Sequence, residues 1–257
     1  MKLVLGLSLA AGLTACGASL PILVPDLAVR PAKPVQIEGA RGPLTAAQSK
    51  AVLDRLRARS PETDIFTRHL AVEEAIVGSP LTTGNRARLL NDGPATYAAM
   101  LAAIKNASDH IHMETYIIED DEVGRLFAAA LIAKQRAGVQ VNLIHDSVGT
   151  IGTPAAFFQQ LTDAGVRVLE FNPINPLVAR KEWELNQRDH RKLLIVDGKI
   201  AFLGGINISS VYSSGSSQGK ARPRPDPAQA WRDTDMQLEG PVVAELQKLF
   251  LDAWASQ

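Results

Sequence analysis

Residues 190–207 read His190-Arg191-Lys192-Leu193-Leu194-Ile195-Val196-Asp197-Gly198-Lys199-Ile200-Ala201-Phe202-Leu203-Gly204-Gly205-Ile206-Asn207. Two short apolar runs, Leu193 to Val196 and Ile200 to Leu203, flank Asp197-Gly198, and Asp-Gly between such runs signals a two-residue hairpin. In extended chain, residues two apart point the same way at about 6–7 Å, so His190 and Lys192 present an imidazole and an ammonium to one side. A two-residue turn pairs Val196 with Lys199. That register sets Lys192 opposite Leu203 and His190 opposite Gly205, with Asn207 further along the same face. A glycine opposite His190 leaves room for a tetrahedral group.

Upstream, the pattern alternates. Pro94 to Ala107 has helical spacing, Ile111 to Ile118 reads as a strand, and Glu122 to Ala137 as a helix closed by Gly138. Val139 to His145 is a second strand, Pro154 to Ala164 a second helix closed by Gly165, and Val166 to Phe171 a third strand. Strand, helix, strand, helix, strand implies parallel strands with right-handed crossovers, hence an α/β sandwich. Downstream, residues 213–227 form a polar, Pro-containing loop long enough to be a mobile lid or simply disordered, residues 232–239 return as a strand, and Pro241 to Trp254 closes as an amphipathic helix.

The remaining chain is organised differently. Met1-Lys2, an apolar run from Leu3 to Leu13, and Leu13-Thr14-Ala15-Cys16 match a bacterial lipoprotein signal, residues 1–16. The run is about half the roughly 20 residues a membrane-spanning helix needs. Cys16 is the single cysteine, so it is expected to carry the lipid; the alternative is an ordinary secretory signal. Residues 17–83 read as a Pro-rich tether and an N-terminal helical segment, with Thr45 as first cap. The expected location is the cell envelope, on the periplasmic side of the outer membrane where two membranes exist. Lys plus Arg and Asp plus Glu both number 27, so no global charge argues for nucleic acid.

The chemistry suits a phosphodiester. A neutral histidine nitrogen is a competent nucleophile near neutral pH, and Lys192 and Asn207 can bind non-bridging oxygens as charge develops. Ammonium and amide donors supply that stabilisation, so neither metal nor cofactor is expected. His-x-Lys alone describes many surface strands. The full string, His-x-Lys-x-x-x-x-Asp with Gly-Gly-x-Asn, resembles the signature of the phospholipase D superfamily. Further stretches are similar to its cardiolipin synthase-like branch: Gly84-Asn85, Leu89 to Gly93, Glu114-Thr115-Tyr116-Ile117, and Trp231 to Asp235 through Glu239-Gly240-Pro241.

That resemblance implies a phospholipase D-like α/β sandwich half-domain over residues 84–257, a mixed sheet flanked by helices. It also implies a phosphohistidine formed on His190, an acidic orienting residue at the position of Asp233, and a structural role for Asp197, the motif aspartate. Gly204, Gly205 and Glu114 are expected around the site rather than on substrate. The family's sites use two such motifs and this chain carries one. The second half is expected from a missing C-terminal segment or from a homodimer partner.

Phospholipid is the expected substrate, reached through the membrane anchor. A homodimeric nuclease and a silent lipoprotein binding anionic headgroups are the alternatives, with nucleic acid the less expected partner. Other residues invite function more weakly. His110, His112 and Glu114 share a strand face, and satisfied polar residues are the expectation over a metal site. His145-Asp146 ends a strand where ligands of α/β sheets collect, and is read as loop or supporting structure. Trp183, Arg222 and Arg224 could meet lipid or headgroup, or simply pack and be solvated.

Overall fold

The computed structural model describes residues 37–59, 81–175, 187–213 and 231–256. Cys16, Trp183, Arg222 and Arg224 lie outside them. The chain divides into two compact units. One comprises residues 1–35 and 50–80, of which helix residues 50–59 are described; there Lys50 pairs with Asp54 one turn on, at 2.6 Å. The other comprises residues 36–49 and 81–257.

The second unit opens with a small sheet of β1 (Ile37–Gly39), β2 (Gly42–Pro43) and β3 (Leu81–Thr82), in the order β2-β1-β3. Helix α1 (Ala46–Arg59) starts there with a reciprocal cap: Gln48 N donates to Thr45 Oγ1 at 3.3 Å, and Thr45 N to Gln48 Oε1 at 2.9 Å. Then follow β4 (Arg86–Leu90), α2 (Gly93–Asn106), β5 (His110–Thr115), α3 (Glu122–Arg136), β6 (Gln140–Asp146), α4 (Ala155–Asp163) and β7 (Arg167–Phe171). β8 (Leu193–Val196), β9 (Ile200–Gly204), a 3₁₀ turn at Ser210–Tyr212, β10 (Asp235–Glu239) and α5 (Val242–Ala255) complete it. Asp92 and Asp121 cap α2 and α3, accepting from Ala95 N at 2.9 Å and Gly124 N at 2.8 Å.

The seven-stranded sheet has the order β4-β10-β9-β8-β5-β6-β7. β5, β6 and β7 are parallel, as the alternating pattern implies, and β8, β9, β10 and β4 add antiparallel neighbours. Period-2 alternation sends the strand side chains to two cores. Ile111, Met113, Val141, Leu143, Leu194 and Phe202 pack with Met100, Ile104, Phe127, Leu131 and Phe157 of α2, α3 and α4. Ile144, Leu193, Ile195 and Ala201 pack with Val243, Phe250 and Ala253 of α5. The result is the expected mixed α/β sandwich.

The hairpin register differs from expectation. Asp197 and Gly198 both take positive φ, 54° and 61°, and Lys199 N donates to Val196 O at 3.0 Å, so the tight turn forms. Pairing resumes one residue later, with Val196 opposite Ile200 and Leu193 opposite Leu203. Lys199 is a one-residue bulge. Continued outward, this register brings Lys192 to Gly204 rather than Leu203, and displaces Gly205 from His190. The turn is held from outside: Asp197 N donates to His110 O at 2.9 Å, and its carboxylate accepts from the backbone N–H groups of Ser108, Asp109 and His110 at 2.8–3.1 Å. Burial opposes it, yet those bonds hold the Asp197 carboxyl below the usual range.

Candidate functional site

β8 runs antiparallel to β5 and β9, and β10 antiparallel to β9. The approach to β8, the end of β5, the end of β9 and the start of β10 therefore meet at one end of the sheet. Asp197 sits at the other end of β8 and touches none of this.

His190 is exposed, its ring centroid 4.7 Å from that of Tyr116 at 58°. Its imidazole makes no side-chain hydrogen bond among the described residues. Lys192 is 5 % exposed. Its Nζ donates to His190 O at 2.6 Å and lies 5.2 Å from the centre of the Tyr116 ring. It makes no other hydrogen bond and no ion pair among the described residues. Burial lowers its pKa, while the more distant charges of Asp189, Asp233, Asp235 and Asp146 oppose that shift.

Asn207 is buried, and much of its amide serves the scaffold. Oδ1 accepts from Ile117 N at 3.1 Å, and Nδ2 donates to Tyr212 Oη at 2.9 Å, spending one of its two hydrogens. Tyr97 Oη donates to the Asn207 backbone carbonyl at 2.6 Å. Asp233 is exposed and accepts from Thr234 N at 2.8 Å; no hydrogen bond joins it to the His190 ring. The paired glycines give room to carboxylates rather than to substrate. A methyl group at Gly204 would collide with Asp235, and one at Gly205 with the carboxylate of Asp233. Asp235 is buried, accepts from Ile206 N at 3.2 Å, and has no partner at Oδ2. Burial, reinforced by Asp233, pushes its pKa up to about 6 against the Ile206 N–H and Lys192.

Several contributors escape a motif search. Asp189 receives Arg191 twice, Nε to Oδ1 and Nη2 to Oδ2, both at 2.9 Å. The same Nη2 lies 2.7 Å from Glu114 Oε1. Asp146, fully buried at the end of β6, accepts from Asp189 N at 3.0 Å and from Val148 N and Gly149 N at 2.8 and 3.0 Å. The signal for Asp146 was its place at a carboxyl edge; nothing local marks Asp189 as its partner.

The other candidates are each held by neighbouring side chains. His110 bonds Asp109 Oδ2 at 2.8 Å and Gln247 Oε1 at 2.9 Å, and His112 bonds Asn142 Nδ2 at 2.9 Å while stacking on Phe250. His145 bonds Thr150 Oγ1 at 2.8 Å and stacks on Phe158. Among the described residues no group of three or more His, Cys, Asp or Glu is placed to hold a metal, and no helix is long and apolar enough to cross a membrane.

Residues 100–214 match the family model described as cardiolipin synthase, PLD-like domain. Cardiolipin synthase A of Pseudomonas putida is 37% identical over 179 residues, covering 68% of this chain and 34% of that one. The chain belongs to the phospholipase D superfamily. Within that superfamily it is cardiolipin synthase-like: the cardiolipin synthase of Alkalihalophilus pseudofirmus is 34% identical over 180 residues, 70% of this chain and 33% of that one. This phospholipase D-like chain spans about a third of the length of the curated relatives it matches. Among solved structures it is similar to Nuc of Salmonella typhimurium, at 17% identity and a TM-score of 0.46 over 66% of this chain and 95% of that one, a likeness too loose to argue from.

Proposed function

We propose that this chain supplies the nucleophilic half of a phosphatidyl-transferring site that acts on phospholipids through a phosphohistidine at His190. One observation carries the reading. Lys192 is a buried ammonium with a single hydrogen bond and no ion pair among the described residues, directly beside an exposed imidazole. An unpaired buried charge costs several kcal/mol unless an anion arrives to meet it, and a phosphodiester is such an anion.

In the reaction, a ring nitrogen of His190 attacks phosphorus and the bond to the departing alcohol oxygen breaks. Lys192 and the second Nδ2 hydrogen of Asn207 hold the non-bridging oxygens as charge collects there. Asp233, exposed and held by one backbone N–H, turns to the other ring nitrogen and steadies the imidazolium; such contacts commonly tighten only when substrate binds. Water or a second alcohol then takes the phosphatidyl group from histidine. The leaving alkoxide needs a proton, the role proposed for a second histidine from another half or another copy. A lipid on Cys16 would hold the site at the membrane.

An activated leaving group removes the need for that proton. Full-length chain mixed with phosphatidyl-p-nitrophenol should release a burst of about one equivalent of p-nitrophenolate. Mass spectrometry should find an acid-labile phosphatidyl group on His190, and His190→Ala should abolish both. No burst from folded protein, or a burst that survives the substitution, counts against the reading.

A further inference from the structure

Glu114 has no task in the chemistry above, yet it is 1 % exposed and neither carboxyl oxygen has a geometrically sound hydrogen-bond donor. Arg191 Nη2 approaches Oε1 at 2.7 Å out of line, because its well-aligned bonds go to Asp189 at 2.9 Å. Two buried carboxyl groups thus converge on one guanidinium nitrogen, one positive charge against two potential negative ones. Like charges so placed cannot both ionise in a buried site, and one proton resolves the conflict.

We propose that Glu114 is a positioning residue: it keeps a proton, donates it in a hydrogen bond to Asp189, and so locks the segment that carries His190 and Lys192. Asp189 and Arg191 flank His190 in sequence and, by alternation, lie on the other side of the backbone from the imidazole and ammonium. Behind the nucleophile the segment is pinned at three points. Asp146 holds Asp189 N, Asp189 holds Arg191 N at 3.0 Å together with its guanidinium, and Glu114 closes the set from β5.

The charged and titratable neighbours agree. Facing Glu114 from the β8 approach are Asp189 and Arg191, with Lys192 beyond. At the end of β6 stands Asp146, with Arg188 Nη1 at 3.9 Å, and Glu170 of β7 lies near Asp146. On β5 itself His112 shares the face, and it stacks on Phe250 of α5. Burial first, then Asp189, pushes the Glu114 pKa up to about 9, with Arg191 opposing; Asp189 stays ionised, below the usual range despite burial, because Arg191 and Glu114 both donate to it.

This inference rests on the proposed role of His190 for its kinetic arm alone. In full-length protein labelled with carboxyl-¹³C glutamate, one resonance, assigned by its loss in Glu114→Gln, should titrate near pH 9. Titration in the ordinary carboxylate range overturns the proposal whether or not the protein turns over lipid. In the burst assay, Glu114→Gln, which still donates to Asp189, should stay within about threefold of wild type. Glu114→Ala should fall by about 100-fold, as expected when a reacting group loses its alignment. Wild-type rate should decline as pH passes through about 9, and Glu114→Gln should lose the part of that decline that comes from Glu114. Superimposable pH profiles, or a Gln variant as slow as the Ala variant, overturn it. Absence of a wild-type burst counts against the role of His190, and the carboxyl titration still decides Glu114.

Discussion

The strand β5 carries polar side chains at both ends, and the two ends could hardly be more different. At its start, every ring nitrogen of His110 has a partner, His112 bonds Asn142 and stacks on Phe250, and the Asp197 carboxylate takes three backbone N–H groups. At its finish, an exposed imidazole stands without a hydrogen bond over a buried ammonium that has one. Polarity alone does not mark a site, since both ends are rich in it. Unpaired donors do: among the described residues the first end leaves one buried acceptor, Asn142 Oδ1, without a partner, whereas the second leaves a buried ammonium and an exposed imidazole open to an anion.

Lys192→Met should break this contrast most visibly. Losing a charged donor to the transferring phosphoryl group should cut the burst by about 100- to 1,000-fold. Thermal stability should hold or rise, because a desolvated charge without a counter-ion is replaced by an apolar chain of similar length. A large fall in melting temperature would mean that Lys192 is structural, and the two ends would no longer differ in kind.

His112→Ala should do the reverse. It removes the stack on Phe250 and leaves the Asn142 amide without its partner, which should cost about 2–4 kcal/mol in denaturant unfolding. The burst per folded molecule should stay unchanged. A slowed burst in a stable variant would show that the closed end communicates with the open one.

How much of this was legible follows from which interactions are local. The parallel core from His110 to Phe171 was readable because buried strands and amphipathic helices repeat with different periods over many residues. β4 was not, since Arg86-Ala87-Arg88-Leu89-Leu90 lies at the sheet edge with four of its five residues exposed and so does not alternate. The Asp197-Gly198 turn was readable from two residues; its bulge was not, because the register is set by contacts to Ser108, Asp109 and His110, almost ninety positions away. His190 and Lys192 stood out by their spacing, and the structure brings them together. Asp189 and Arg191 lay in plain view beside them and could be given no task until Glu114 and Asp146 arrived from neighbouring strands.

Mild acid should sharpen the comparison, with the smallest effect of the three. Burial lowers the pKa of His112, with His110 adding to the shift, and burial likewise lowers that of His145 against a bond to Asp146; both fall from 6.5 to about 4. Each folded pKa lies below its unfolded value, so the unfolded chain binds protons first. The stability that comes from keeping these rings neutral is therefore fully present above pH 6.5 and is lost as pH falls toward 4. Between pH 7 and 5.5 the loss should be on the order of 1 kcal/mol for each histidine, seen as a falling melting temperature. His145→Gln and His112→Gln should each flatten that fall. A slope that neither substitution changes would mean that burial does not keep these two rings neutral, and the closed environment assigned to His112 at the start of β5 would fall with it.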